Sequence, residues 1–426
     1  MRTIASLFTA AALLGGLWSA GALAEPPAWP MFGHDAAHSG RSTVVAAQTP
    51  TLRWASQPQV FSAHDYGPDL EDFSPVVGAD GAVYLADGQG VRALNADGSL
   101  RWVVPLAGAT ESVALGVDGT VYAGHETGLL ALNPDGSLQW SLAVGVPLRH
   151  PVVAANGEVY AIRSPVPGPL SLGVGALYVV AADGHEIRHV DIRGGPTATP
   201  AIDADGSALL PGQACTRWGR IDLVPTCLEF RALLYSVGSG ASRATTIFAS
   251  PKASINRLAS PSVGADGTIY VAANTTDQRL LYSLSGSGRV HWATALPACC
   301  DVSPPAIGPD GTVFVETLGG NRPKFMHAVR PDGSLAWQTE IPGLGGGLRR
   351  PAVGADGTVY GAEASGAIFA LAADGSVRWS LTLNPASLFS AVAIAGDGSV
   401  AVLGSLFDST AYRHIQTVYA IGPGPR

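Results

Sequence analysis

The sequence is poor in charged residues, and in lysine above all. Only 14% of its 426 residues are Asp, Glu, Lys or Arg, and lysine occurs only at Lys252 and Lys324. The 25 basic and 33 acidic side chains give a formal charge of −8. Such a mildly acidic chain is not expected to bind nucleic acid or anionic membranes, because both need basic patches.

Helical periodicity and catalytic motifs are also lacking. Outside the extreme N-terminus, no stretch repeats its apolar residues every 3.6 positions, so long helices are not predicted. The Gly-rich stretch at 343–347 precedes a predicted strand, unlike a phosphate loop. His34 and His38 have a metal-like spacing, and we expect them to pack. No catalytic residue, metal ligand or cofactor is predicted from these patterns.

The N-terminus has the features of a secretory signal. Met1-Arg-Thr-Ile is followed by an apolar run to Ala20 and by Ala22-Leu-Ala24. This Ala-x-Ala site predicts cleavage near Ala24, which makes residues 1–24 a signal peptide and 25–426 one mature domain. No later segment is long enough for membrane insertion. We expect a periplasmic or secreted monomer.

The chain contains only four cysteines, and in an exported protein they predict two disulfides. Cys215 and Cys227 flank an insertion around Gln213 to Glu229, which a disulfide would close as a loop. Cys299 and Cys300 are adjacent. They form either a strained vicinal disulfide or remain thiols.

Two alternating phrases run through the rest of the chain. The first is Ala96-Asp-Gly-Ser-Leu-Arg-Trp102, which returns near Trp140, Trp337 and Trp379. The second is Ser74-Pro-Val-Val-Gly-Ala-Asp-Gly-Ala-Val-Tyr84, which returns near Tyr270 and Tyr360. A period of about forty residues indicates a repeat architecture.

Each repeat predicts four short strands joined by Asp-Gly hairpins, because Gly accepts the positive φ that these turns need. The first turn of each unit has Asp80, Asp118, Asn156, Asp205, Asp266, Asp310, Asp356 or Asp397. Eight such units predict an all-β fold, an eight-bladed β-propeller of four-stranded antiparallel blades.

The final unit lacks a closing Leu-Arg-Trp, and Thr51-Leu-Arg-Trp54 stands before the first one. We therefore expect this N-terminal strand to close the ring, which leaves no open sheet edge. The recurring tryptophans should wedge between neighbouring blades, with His189 near the same slot in the third unit and no aromatic there in the fourth. The six tryptophans are Trp54, Trp102, Trp140, Trp292, Trp337 and Trp379.

The segment Trp29-Pro-Met-Phe-Gly-His-Asp-Ala-Ala-His-Ser-Gly-Arg41, the Asp-Gly-Ser-Leu-Arg-Trp phrase and the eightfold count together resemble PQQ-like propeller repeats. Such repeats occur in quinoprotein alcohol dehydrogenases and in the propeller lipoprotein of outer-membrane assembly. The resemblance covers Trp29 to Ile421 and implies the fold. Propellers have many unrelated activities, so it implies less about function.

The position of Cys299 and Cys300 is similar to that of the vicinal cysteines over the cofactor of quinoprotein dehydrogenases. The resemblance would then imply pyrroloquinoline quinone (PQQ) with Ca²⁺. However, Ser303-Pro-Pro stands where those enzymes have Arg, and their calcium ligands and catalytic Asp have no matching motif. The preferred hypothesis is thus an exported, non-catalytic binding or scaffold module. The alternatives are a PQQ-dependent oxidoreductase and an outer-membrane protein assembly factor.

In a propeller, the segment before each innermost strand lies at one mouth of the central channel. Most residues aligned there are small, and the exceptions are candidates for a site that binds an unknown protein or a small anionic ligand. Alternatively, Glu111 pairs with an Arg and plugs the channel. The candidates are Phe73, Glu111, Arg149, His150, Arg349 and Arg350, together with Cys299 and Cys300.

Overall fold

The computed structural model describes most of the chain after residue 25. Regular structure in this part consists of strands, without a helix long and apolar enough to span a membrane. The proposed signal segment lies outside it. The described residues are 26–62, 74–87, 90–106, 112–165, 173–221, 224–250, 257–275, 278–297, 301–318, 323–341, 348–363, 365–383, 388–411 and 413–422.

The strands form eight separate antiparallel sheets, which confirms the predicted eight-bladed propeller. Blades 1 to 4 each consist of four consecutive strands, numbered from the channel to the rim. Blade 1 has Val76–Val77, Val83–Asp87, Gly90–Leu94 and Leu100–Pro105; blade 2 has Val113–Leu115, Val121–His125, Gly128–Leu132 and Leu138–Ala143; blade 3 has Arg149–Val153, Val159–Arg163, Val174–Val180 and Glu186–Arg193; blade 4 has Ala201–Ile202, Ala208–Ile221, Val224–Val237 and Thr245–Ala249.

Blades 5, 6 and 8 have an innermost strand in two pieces. In blades 5 and 6 the break contains proline, which has no N–H for the ladder. Blade 5 has Arg257–Leu258 with Ser262–Val263, then Ile269–Asn274, Arg279–Leu284 and Val290–Leu296; blade 6 has Asp301–Val302 with Ala306–Ile307, then Val313–Leu318, Phe325–Val329 and Leu335–Glu340; blade 7 has Ala352–Val353, Val359–Ala362, Ala367–Leu371 and Val377–Thr382.

Blade 8 combines both ends of the chain, as the sequence predicted. Its inner strands are Leu388–Phe389 with Ala393–Ile394, then Val400–Asp408 and Arg413–Ile421. Leu52–Ala55 and Gln59–Ser62 both pair antiparallel with Arg413–Ile421 on its outer side. The innermost strand of blade 1 contacts those of blades 2 and 8, so the ring is closed.

The recurring tryptophans link each blade to the next one. The indole Nε1–H of Trp102 donates to the carbonyl of Pro134 at 2.9 Å, in the second Asp-Gly turn of blade 2. Gly136 of that turn has a φ of +86° and lies under the indole, where a Cβ would come within 2.8 Å of the ring. Equivalent pairs are Trp54 with Ala96, Trp140 with Ala182, Trp292 with Pro331, and Trp337 with Ala373.

Three blades depart from this arrangement. Trp379 of blade 7 donates to Ala47 at 3.0 Å, because blade 8 has no second Asp-Gly turn. In blade 3, Arg188 takes the tryptophan position opposite Val179, and His189 instead stacks on Tyr178 with ring centroids 5.1 Å apart. In blade 4, Ile247 lies beside the corresponding Gly288.

The insertion in blade 4 is a continuation of the two middle strands, not the loop that we expected. Ala208–Ile221 and Val224–Val237 stay paired over their whole length. Cys215 and Cys227 form the predicted disulfide across this hairpin, with Cα atoms 5.8 Å apart. Cys299 and Cys300 lie outside the described residues.

We predict that Gly136→Ala destabilises the protein more than Gly157→Ala does. Both glycines have a positive φ, but a Cβ at Gly157 meets nothing within 4 Å. Gly157→Ala should therefore cost only the conformational term of about 1 kcal/mol. Gly136→Ala should cost about 1–3 kcal/mol more, because its methyl group overpacks against Trp102. Denaturant unfolding measures both. Equal costs would show that the indole contact is loose.

Candidate functional site

The propeller has two different faces. Both Asp-Gly turns of a blade lie where the innermost strand ends, and we call this the turn face. The opposite mouth face has the starts of the innermost strands and the hairpins between the second and third strands. Four predicted site residues are described by the structure, and they lie at the mouth face because they begin or precede innermost strands: Arg149, His150, Arg349 and Arg350.

The N-terminal chain lies across the channel at the turn face. We name Trp29–Val44 the channel segment. Its carbonyl groups accept N–H bonds from the innermost strands of six blades, at the last residue of each strand. The donors are Val77, Leu115, Ile202, Val263, Ile307 and Val353, and the acceptors are Trp29, Pro30, Ala36, Ala37, Ser39 and Gly40. The last N–H of each of these six strands is thus satisfied by the chain itself.

Arg350 holds the channel segment to blades 5 and 6. Its guanidinium donates to the carbonyl of His38 at 2.6 Å, to the carbonyl of Pro305 at 2.6 Å and to the hydroxyl of Ser262 at 2.9 Å. The guanidinium carbon also lies 4.9 Å from the ring centre of Phe32. With 2% of its surface exposed, Arg350 forms a buried structural hub.

The other described candidates have different surroundings. Arg149 is exposed and His150 is half-buried, with a φ of +52°. Arg349 is buried and donates from its side chain to the carbonyl of Leu348 at 2.9 Å. Blades 3 and 7 are four places apart in a ring of eight, so Arg149 and His150 lie across the axis from Arg349 and Arg350. Phe73, Glu111, Cys299 and Cys300 lie outside the described residues.

A buried ionic cluster lies between blades 6 and 7. The Nζ atom of Lys324 is 2.5 Å from Oε2 of Glu363, and both side chains are fully buried. Glu316 is also fully buried and accepts the backbone N–H of Arg349 at 3.3 Å. Oε1 of Glu316 lies beside Gly361. A Cβ atom at position 361 would be only 3.0 Å from this oxygen, so the glycine leaves room for the carboxylate.

Burial changes the proton affinity of these groups. Desolvation raises the pKa of Glu316 to about 7, opposed by the charges of Lys324 and Arg349. Desolvation, together with the charge of Glu316, raises the pKa of Glu363 to about 8. Nearby His327 is buried with Nε2 2.8 Å from the hydroxyl of Thr317, and desolvation lowers its pKa to about 4. The cluster can therefore retain protons at neutral pH, as functional sites often do.

The sequence analysis missed this cluster, although the chain has a signal for it. Glu316 interrupts the apolar strand Val313–Leu318, and Glu363 directly follows the apolar strand Val359–Ala362. Lys324 is one of only two lysines. A charged residue at a strand position that should be buried indicates a buried partner. The sequence does not show that Lys324 of blade 6 pairs with Glu363 of blade 7, because only the ring brings these two blades together.

We predict that Arg350→Met lowers the free energy of unfolding by about 3–5 kcal/mol, because three buried oxygen atoms each lose a charged donor. Of these oxygens, the carbonyl of Pro305 keeps another donor, the hydroxyl of Ser262. Arg149→Met is the control, since this exposed side chain should matter by no more than about 0.5 kcal/mol. Chemical denaturation gives both values. A cost for Arg350→Met as small as that of the control would refute its structural role.

We also predict that stability falls as pH rises from 5 to 8. The folded protein keeps protons on Glu316 and Glu363 that the unfolded chain releases above its ordinary pKa, so rising pH favours unfolding. His327 acts oppositely, costing stability as pH falls below 6.5 towards 4. Glu363→Gln should flatten the fall between pH 5 and 8, and the exposed Glu340→Gln should not. Unfolding midpoints across this range measure the effect. An unchanged profile in Glu363→Gln would contradict it.

Comparisons with known proteins agree with this architecture. The family model described as "Outer membrane protein assembly factor BamB" matches residues 87–198 and 326–405. No curated protein sequence matches the chain. Among solved structures, BamB from Moraxella catarrhalis is 13% identical with a TM-score of 0.56, covering 87% of this chain and 99% of its own.

A second structure, the Dos1 propeller, is 10% identical with a TM-score of 0.53, covering 89% of this chain and 96% of its own. At such identities the two structures are evidence for the fold alone. Eight antiparallel blades, their repeated Asp-Gly-Ser-Leu-Arg-Trp phrase and the family match together identify the chain as a PQQ-like β-propeller repeat protein.

Proposed function

We propose that this protein is an exported, non-catalytic scaffold that binds other proteins during outer-membrane protein assembly. The observation that carries the proposal is the channel segment. Because the chain's own residues bond to six innermost strands at the turn face, partners are left with the mouth face and the rims of the blades. The match to the BamB family model supports the choice of assembly over other scaffold roles.

Export rests on Met1 to Ala24, whose composition is that of a secretory signal. Cleavage near Ala24 leaves a mature chain that begins just before the channel segment. A periplasmic location agrees with a disulfide between Cys215 and Cys227, since such bonds persist in oxidising compartments.

A quinone cofactor has less support. The position where the resemblance would require Arg is occupied by Ser303, whose hydroxyl accepts the N–H of Glu316 at 2.8 Å and donates to the carbonyl of Pro304 at 3.0 Å. This side chain is fully buried and serves the backbone of blade 6. The described residues at this place therefore do not fit PQQ, and we assign no catalytic residue.

A small anionic ligand remains part of the proposal at the mouth. Exposed Arg149, next to His150, is the candidate best placed to meet such a ligand. A carboxylate could accept two hydrogen bonds from its guanidinium. Arg350 already serves the channel segment, so its contribution to binding would be indirect.

Deletion of the gene in the native host tests the scaffold proposal. We expect less folded β-barrel protein in the outer membrane, because assembly loses a binding platform. Expression of the full chain should restore the amount, and a chain without residues 1–24 should not. Normal amounts after deletion would contradict the proposal. Alcohol oxidation by purified protein with added PQQ and Ca²⁺ would instead indicate an oxidoreductase.

A further inference from the structure

The paired hairpin of blade 4 extends beyond its own sheet. Among the described residues, the last backbone hydrogen bond on its channel side joins the N–H of Gln213 to the carbonyl of Gly194, and the last on its rim side joins the N–H of Ser250 to the carbonyl of Ala232. We name residues 214–221 and 224–231 the blade 4 arm. The arm projects from the mouth face, because it joins the second strand to the third.

Blade 8 lies opposite blade 4 in the ring, and its two middle strands are also extended. There, however, other strands pair with both edges of the extension. Its strands Val400–Asp408 and Arg413–Ile421 also continue towards the mouth face. Leu388–Phe389 pairs with the channel-side edge, and Gln59–Ser62 pairs with the rim-side edge. Within the described residues, no strand pairs with either edge of the blade 4 arm.

One covalent and one ionic contact stabilise the arm, which no strand of the described residues flanks. A two-stranded hairpin alone is only marginally stable in water. The disulfide between Cys215 and Cys227 stabilises the arm by restricting the unfolded chain, and Arg217 pairs with Glu229 at 2.7 Å. The arm nevertheless leaves Trp218 48% exposed and Leu228 39% exposed. Exposed aromatic and aliphatic groups on a rigid element are typical of binding surfaces.

The two edges of the arm differ. The rim-side strand contains Pro225, which has no N–H to donate. The channel-side strand has no proline from Ala214 to Ile221. Its pairing shifts register at Thr216 and again opposite Leu228, and is regular from Trp218 to Ile221. Arg220 is paired with Pro225, and a hydrogen-bonded antiparallel pair needs an N–H from both residues. Because proline has no N–H, this is the non-hydrogen-bonded kind of pair. The N–H groups of Arg220 and Trp218 therefore point to the open channel-side edge.

We propose that the channel-side edge of the blade 4 arm binds an extended segment of a partner protein as an added β-strand. Backbone hydrogen bonds to Trp218 and Arg220 hold the segment, and its apolar side chains cover Trp218. Residues 214–231 have three Arg against one Asp and one Glu, although the whole chain is acidic. The segment should therefore alternate apolar with acidic side chains. The inference rests on the proposed scaffold function and names its contact surface.

Synthetic peptides of about eight residues, the length of a usual strand, provide the probe. One alternates Val or Tyr with Glu, and its control has Lys in place of Glu. We expect the acidic peptide to bind at least about tenfold more tightly than the control. Amide exchange at Trp218 and Arg220 should slow when it binds. Equal affinity of the two peptides, or unchanged exchange at both amides, would overturn the proposal.

Two substitutions at one position separate backbone pairing from side-chain docking. Arg220→Ala keeps the outward N–H and should weaken acidic-peptide binding about threefold, whereas Arg220→Pro removes it and should weaken binding more than about tenfold. Intact disulfide and unchanged unfolding midpoints show that both variants are folded. Equal losses in the two variants would refute strand addition.

The gene-deletion host distinguishes this inference from the proposed function. If Arg220→Pro fails to restore outer-membrane protein where Arg220→Ala succeeds, both ideas are supported. If Arg220→Pro restores it fully, the scaffold stands and the arm does not serve it. If the deletion itself has no effect, the scaffold proposal fails, and the peptide titration still decides whether the arm accepts a strand.

Discussion

The structure depends on the backbone hydrogen bonds that the N-terminal chain makes at both edges of the ring. At the centre, the channel segment accepts hydrogen bonds from the last N–H of six innermost strands. Without the segment, these N–H groups would face the channel with no partner from the chain. At the rim of blade 8, Leu52–Ala55 supplies the outer strand that the C-terminal repeat lacks. An unpaired strand edge invites pairing with another chain. The same thirty or so residues thus close the ring and stabilise its interior.

The sequence predicted the ring well, because the repeats themselves specify it. Each Asp-Gly turn requires a glycine with positive φ, and the tryptophan of one blade packs on the glycine of the next, so the interface between blades is encoded in one short phrase. Blade 8 lacks its own Leu-Arg-Trp, and this gap indicated that Leu52-Arg-Trp54 near the N-terminus pairs there. Where the phrase is missing, the sequence predicted only that His189 stands near the tryptophan position of blade 3. The structure has Arg188 at that position and His189 next to it.

The site was harder to predict, since it depends on contacts between distant segments. Alignment of the repeats placed Arg349 and Arg350 at the mouth, but the channel segment that Arg350 binds is about 310 residues away in sequence. The pairing of Lys324 with Glu363 crosses a blade interface that no local pattern records. The blade 4 hairpin appeared in the sequence only as an insertion between cysteines, and its continuous strand pairing followed from the structure.

The most direct test of the account is amide hydrogen exchange at the six residues that end the innermost strands. Val77, Leu115, Ile202, Val263, Ile307 and Val353 all donate to the channel segment. If this segment is an integral part of the ring, their exchange should require global unfolding and be among the slowest in the protein. Fast exchange at these amides in the folded chain would show that the segment is only loosely attached, and would contradict the account.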